Sequence, residues 1–558
     1  QNALGLDQVG IYDNFFEIGG DSIISIQVLA RAKQAGLHFT PKDLFQYQSI
    51  AELTLVISSA TPVRADQDVI TGEVPLTPIQ HWFFEQIRTA PHHYNQAVRL
   101  QVHVQVEPEL LRQALHHLLL HHDALRLRFA PNDTGWRQWH AQPDEHNAGK
   151  NTVPFDVVDL AHLSYSEQEA VIEDTAQVRQ AGLDLAEGPL IRLMLFQRGP
   201  DQPAVLLWVI HHLVVDGVSW RVLLEDVNTA YQQLERGEPV RLPPKTTAFK
   251  HWAEWLTTYA RSEQLTAVAD YWTALQTAEA LTLPADNPTG LAHNTVASAH
   301  QLSCTLSTEE TRALLQDAAA AYHTQVNDLL LTALAQAVSG WTGHQTVFIE
   351  LEGHGREALA ENLDLSRTVG WFTSLFPVLL RLDQTDPAAA IKSIKEQLRQ
   401  VPQKGMDYGV LRYLTHESTP ALWPSPPMSF NYLGQFDNVL ENADDKSFII
   451  GASVTDYGSL YSPAQTRPYL LEVDGLIVKG QLRFEWTYSR NVHQQQTIQT
   501  LADTFIEALR ILIAHCTSPE AGGYTPSDFS LANLDNQKLS TLAGLIQQAD
   551  QAQRDNPQ

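Results

Sequence analysis

Residues 203–217 read PAVLLWVIHHLVVDG: an unbroken apolar run, two adjacent histidines, then an aspartate before a glycine. Apolar residues in succession over 204–210, with no polar alternation, suit a strand buried within the protein. The run is far short of the ~20 residues a membrane-spanning helix needs. A strand of this kind requires layers packed over it, and other stretches supply them. HVQVEPELLRQALHHLLLHHDALRLRF (103–129) runs from a strand through a long amphipathic helix towards another strand. TQVNDLLLTALAQAVSGWTG (324–343) is an apolar helix, followed by the strand TVFIELEGHG (346–355). Strands alternating with helices predict an α/β or α+β layered fold.

The chain has 558 residues, enough for three or four packing units at about 150 residues each. Residues 22–35, SIISIQVLARAKQA, carry apolar side chains at helical spacing, and Gly36 supplies a stop. Thr40 before Pro41, and Ser49 with Glu52, are helix starts. Residues 1–58 therefore read as a small helical unit. Residues 59–73 are polar, without apolar period, and read as a linker. Residues 74–515 exceed a usual single core, so two lobes are expected, 74–248 and 249–515. Residues 516–558 read as a tether or docking segment. The first residue is Gln and the last stretch is polar, as expected of a piece of something longer.

The net charge of −27 argues against nucleic acid as a partner, since domains that bind it are normally basic. Two cysteines allow neither a disulfide framework nor a cysteine-based zinc site, which fits a reducing cytoplasm. No signal peptide is visible, and no membrane association is expected.

Several stretches carry chemistry. In HHLVVDGVSW (211–220) adjacent residues of a strand face opposite ways, so only one imidazole enters a given cleft. Imidazole titrates near neutrality and suits proton transfer, but a buried histidine with Asp216 as a turn residue fits these positions equally. ELEGHGRE (350–357) crowds Glu350, Glu352, His354, Arg356 and Glu357 at a strand end; a solvated charged loop is the plainer reading. His117 and His121 stand four apart on a helix, a metal-binding spacing, yet no glutamate or third ligand accompanies them, so a packed helix face is preferred. RTVGWFTSLFP (367–377), GMDYGVLRY (405–413) and FNYLGQFD (430–437) mix glycine, aromatics and small polar groups, as channel linings and turns both do.

Taken in order, these stretches resemble the epimerization domains of nonribosomal peptide synthetases, within the condensation-domain superfamily. PLTPIQHWFFEQ (75–86) and HHDALRLRF (121–129) resemble its opening motifs, and HHLVVDGVSWR its histidine motif. EGHGRE, VGWFTSLFP, GMDYGVLRY and FNYLGQFD resemble those that separate epimerization from condensation domains. The resemblance implies a V of two chloramphenicol-acetyltransferase-like lobes with a tunnel between them. DNFFEIGGDSIISIQVLARAKQAG (13–36) is similar to a peptidyl carrier protein, a four-helix bundle whose motif serine, here Ser22, carries 4′-phosphopantetheine. Its first helix is expected to be missing or trimmed.

The same resemblance implies a reaction. The substrate is an L-aminoacyl or L-peptidyl thioester on Ser22, converted to the D form by removal of the α-proton from one face and its return to the other. By this resemblance His212 and Glu352 are the proton-transfer pair. Asp216 orients its loop or pairs with Arg356, and Asn431 and Tyr432 lie near the site. Neither a metal nor pyridoxal phosphate is implied, because the thioester itself acidifies the carbon. The implied partners are the chain's own carrier domain, an upstream adenylation domain and a downstream condensation domain. Two other functions compete: a condensation-type transferase using the same histidine motif, and a silent docking module. Glu352 with GHGRE and VGWFTS favours the epimerase over the transferase.

Overall fold

The computed structural model describes residues 4, 6, 8–16, 18–20, 22–57, 65–133, 135–143, 153–275, 282–357, 360, 363–384, 386–415, 425–435, 447–453, 458–529 and 538. Near the N-terminus the helices Ser22–Gln34, Pro41–Gln46 and Ile50–Leu53 enclose a small core of Phe15, Phe16, Ile24, Leu29, Phe39, Leu44 and Leu53. Thr40 with Asp43, and Ser49 with Glu52, form reciprocal caps that satisfy the free N–H groups of the two short helices. The trimmed first helix and the full bundle concern residues 1–10, of which 1–3, 5 and 7 lie outside the described ones.

The apolar strand of the histidine motif, Ala204–His211, is buried at every position. It sits third in a five-stranded sheet ordered Ile449–Ser453, Asn95–Val102, Ala204–His211, Ile191–Gln197, Phe155–Asp159. Its alternate residues serve different cores. Leu206, Trp208 and Ile210 face the main core of the first lobe, under the helices Pro108–His121 and Gly217–Glu235. Val205, Leu207 and Val209 pack against Ile172 and Ala176 of the helix Tyr165–Gln180. Coverage on both faces is why the run shows no polar alternation.

A six-stranded mixed sheet forms the second lobe, ordered Ser374–Arg381, Thr346–Gly353, Met428–Gln435, Leu471–Val478, Gln481–Ser489, Ala299–Thr305. The apolar helix Val326–Thr342 and the long helix Gln495–Cys516 pack on it. Across the 248/249 border, the helix Phe249–Tyr259 lends Phe249, Trp252 and Leu256 to the first core. The strand Ile449–Ser453, late in the chain, pairs antiparallel with Asn95–Val102 of the first sheet. Beyond residue 516, Asp528 forms an ion pair with the buried Lys395, and Tyr524 stacks on His323, so residues 517–529 pack on the second lobe. Among the described residues, no helix is long and apolar enough to cross a membrane.

Candidate active site

The strand Ala204–His211 leads into two histidines with different fates. His211 is fully buried; its Nε2 meets the Pro91 carbonyl at 2.8 Å and its Nδ1 accepts from the Leu213 N–H. Burial pushes its pKa down to about 3, so it stays neutral and structural. His212 turns the other way, against Trp371 (ring centroids 4.3 Å apart) and Tyr94 (5.8 Å).

The hydrogen bonds of His212 select one tautomer. Trp220 Nε1–H, a donor only, gives its proton to Gln96 Oε1 at 2.8 Å. The Gln96 amide nitrogen therefore faces His212 Nε2, 3.0 Å away, and donates to it. On the other side Nδ1–H donates to the Val215 carbonyl at 2.8 Å. The imidazole so held keeps its lone pair on Nε2, the base form. Burial lowers its pKa, and the Val215 carbonyl and Asp216 oppose that shift.

Glu352 comes from the edge of the other lobe, on the strand Thr346–Gly353. Its two oxygens accept from Thr373 Oγ1 at 3.3 Å and Asn431 Nδ2 at 2.9 Å. The carboxyl keeps exposed area, while the protein packed around it is enough to desolvate it. Enclosure raises its pKa to about 7, Thr373 opposes the rise, and the charges of Asp216 and Glu350 add to it. Water reaching the carboxyl limits how far that shift can go. Next along the sheet, strand register sets Asp474 beside Asn431, and burial, then Glu472 and Glu352, raises its pKa too. Glu352 and Asp474 thus stand in one acidic stretch of the sheet, each with its pKa raised by burial and by the other carboxylates.

Asp216 and Arg356 fasten the two lobes at this point. Both are buried. Arg356 Nη2 lies 2.9 Å and 3.0 Å from the Asp216 oxygens, and Nη1 donates to the carbonyls of Leu365 and Thr368. Asp216 also caps the helix Gly217–Glu235 through the Ser219 N–H and accepts from the Phe372 N–H. Gly355 lets the loop close onto this pair: it has φ +63°, and a Cβ there would lie 1.6 Å from the Phe372 carbonyl oxygen. A Gly355→Ala variant is expected to lose about 1–3 kcal/mol of stability, read from its urea-unfolding midpoint.

Of the residues singled out from sequence, His212, Glu352, Asp216, Arg356 and Asn431 meet at the junction of the lobes. Tyr432, the next residue after Asn431 on its strand, packs against the core of the second lobe. His117 and His121 do not converge; each lies edge-on to its sequence neighbour. Among the described residues, His121, His122 and Asp226 bring donor atoms within 4.8 Å of one another. Asp226 there is already bound by Arg367 at 2.5 Å and His122 at 3.0 Å, so a guanidinium fills the place of a metal.

Gln96, Trp220, Trp371 and Thr373 are not marked individually by the sequence. Trp371 and Thr373 lie within a recognisable motif, but nothing local points to Gln96, whose role depends on strand pairing with Ala204–His211. Ser22 opens the helix Ser22–Gln34, where free N–H groups favour an anion. Gly20, just before, packs so tightly on Phe15 that a Cβ would lie 2.4 Å from the Phe15 carbonyl oxygen. A serine at a helix start, after a glycine turn, fits attachment of a phosphodiester-linked arm. Asp21 lies outside the described residues. From the same helix, Lys33 forms a 3.0 Å ion pair with Asp364 of the larger domain.

His212 and Glu352 thus stand close together where the two sheets' domains meet, each against the 371–373 segment, and a helical unit with a serine at a helix start precedes them in the chain. The chain belongs to the condensation-domain family, whose model matches residues 70–534, and a phosphopantetheine attachment site matches residues 1–57. A linear gramicidin synthase of Brevibacillus parabrevis is 48% identical over 98% of this chain and 7% of its own length. Chondramide synthase of Chondromyces crocatus is 45% identical over 99% of this chain and 14% of its own length. The chain therefore spans a small part of these synthases. The solved epimerization domain from the third module of tyrocidine synthetase B is 39% identical, with a TM-score of 0.72, covering 81% of this chain and 99% of that one.

Proposed function

We propose that this chain epimerizes the α-carbon of an aminoacyl or peptidyl group held as a thioester on Ser22, with His212 and Glu352 as the proton-transfer pair. The observation that carries the reading is Glu352, its pKa raised to about 7, held by Asn431 and by Thr373, which stands two residues along the same segment from the Trp371 ring that packs on His212. The phosphopantetheine thioester, when bound, makes the α-proton more acidic than an amide would. The protein contributes the rest. The His212 Nε2 lone pair on the first lobe serves as base once the Gln96 N–H that it accepts swings aside, and Glu352 offers a carboxyl that can hold or release a proton on the second. Asn431 fixes one Glu352 oxygen, and Asp216–Arg356 keeps the two lobes in register. As further proposals, Ser22 carries the arm, the Lys33–Asp364 pair helps seat the carrier, and adenylation and condensation domains act before and after.

The protonation states give a test. With the His212 pKa lowered and that of Glu352 near 7, the pair carries one proton between these two values. Inversion needs one group holding a proton and the other without, in either direction. The rate of α-hydrogen exchange with solvent deuterium is therefore expected to fall as pH rises through about 7. Glu352→Gln should remove that limb. Amide formation with a second carrier, and no exchange, would instead establish the transferase.

A further inference from the structure

Beside the proton-transfer pair lies a cleft of ≈ 540 Å³ that the proton chemistry does not itself use. It is enclosed by the helices Pro78–Gln86, Phe249–Tyr259 and Met406–Leu414 and by residues 371–375. Ile79, Trp82, Leu256, Met406 and Val410 give it an apolar body. That space includes open solvent, so the cleft is an apolar groove rather than a closed chamber.

Three of its residues connect it to the chemistry. Trp371 lines it and lies against the His212 ring. Thr373 lines it and hydrogen-bonds Glu352. Glu350 lines it two residues before Glu352 on the same face of the strand. A substrate carbon set between His212 and Glu352 thus has this cleft adjoining it, with Trp371 and Thr373 bordering both.

Three buried polar atoms in the lining are unsatisfied: Thr77 Oγ1, Trp371 Nε1 and Arg412 Nε have no hydrogen-bond partner. Such groups are costly to leave unpaired, and they point to an occupant with a polar edge. The charged groups of the lining are already engaged. Glu350 accepts from the Tyr469 hydroxyl, and Arg412 pairs with Glu85 at 3.0 Å. The cleft thus offers apolar surface and a few unpaired donors, and the one guanidinium among them already has its charge met by Glu85.

We propose that this cleft is the subsite for the substrate's side chain, and that it selects large uncharged side chains, aromatic ones first. The proposal rests on the epimerase reading of the site, and two measurements separate them. Binding is followed by calorimetry, with the protein unmodified at Ser22 and with amide analogues of L-phenylalanyl-, L-alanyl- and L-aspartyl-pantetheine. The phenylalanyl analogue is expected to bind about tenfold or more tighter than the other two. Met406→Trp, which fills the cleft, should bring the phenylalanyl-to-alanyl ratio close to one. Leu256→Trp does the same from the helix Phe249–Tyr259 and serves if Met406→Trp does not fold. Equal binding of the three analogues by the wild type, or an unchanged ratio in a folded filled variant, overturns the subsite. Deuterium exchange with the three thioesters loaded on Ser22 is the second measurement. Exchange without discrimination overturns the subsite alone, and no exchange with any of them overturns the epimerase reading.

Discussion

Replacing His212 by alanine is expected to slow α-hydrogen exchange of a Ser22-bound L-aminoacyl thioester by about 10²–10⁴-fold, and Glu352→Gln by a similar factor. Both groups serve one inversion, so the double variant should be little slower than either single one. The measurement is deuterium uptake by mass spectrometry, with chirality read after hydrolysis. His211→Ala makes the contrast. That residue holds the Pro91 carbonyl and the Leu213 N–H rather than facing the cleft, so its loss acts through stability. If both His212→Ala and Glu352→Ala leave thioester stereochemistry as in the wild type, the domain is a docking module and the epimerase reading falls.

Arg356→Ala is expected to lower stability by about 3–5 kcal/mol, because it leaves the Asp216 carboxylate buried without its cation. Urea unfolding followed by tryptophan fluorescence reads the loss. Arg356→Lys should restore little. The guanidinium reaches Asp216 with one nitrogen and two carbonyls with the other, and a single ammonium has no such fork. The same loss has an electrical signature. Asp216 already raises the pKa of Glu352, so removing the opposing charge of Arg356 should carry the alkaline limb of the exchange profile to higher pH. A merely structural arginine would leave that limb in place.

Much of this site is written in short-range pattern. The apolar run ending at residue 210 announces a covered strand, and the period of a strand splits His211 from His212. Which of the two enters the cleft is not local information; it follows from the Pro91 carbonyl lying on one side and Gln96, Trp371 and Tyr94 on the other. The same period sets Asn431 and Tyr432 on opposite faces of their strand. Asp216 and Arg356 are each an ordinary charged residue near a glycine, and their pairing over 140 positions of chain appears only when the lobes meet.

By itself the sequence determined the alternation of strands and helices, the capped short helices, the glycine turn before Ser22 and the family these motifs resemble. Those features depend on residues within a few positions of one another, where backbone geometry and side-chain periodicity act directly. Only the tertiary structure decided the tautomer of His212, the raised pKa of Glu352, the crossing of Ile449–Ser453 into the first sheet and the cleft behind Trp371. Each of these arises from burial and contact between segments far apart in the chain, and desolvation has no value until the groups that exclude water are in place.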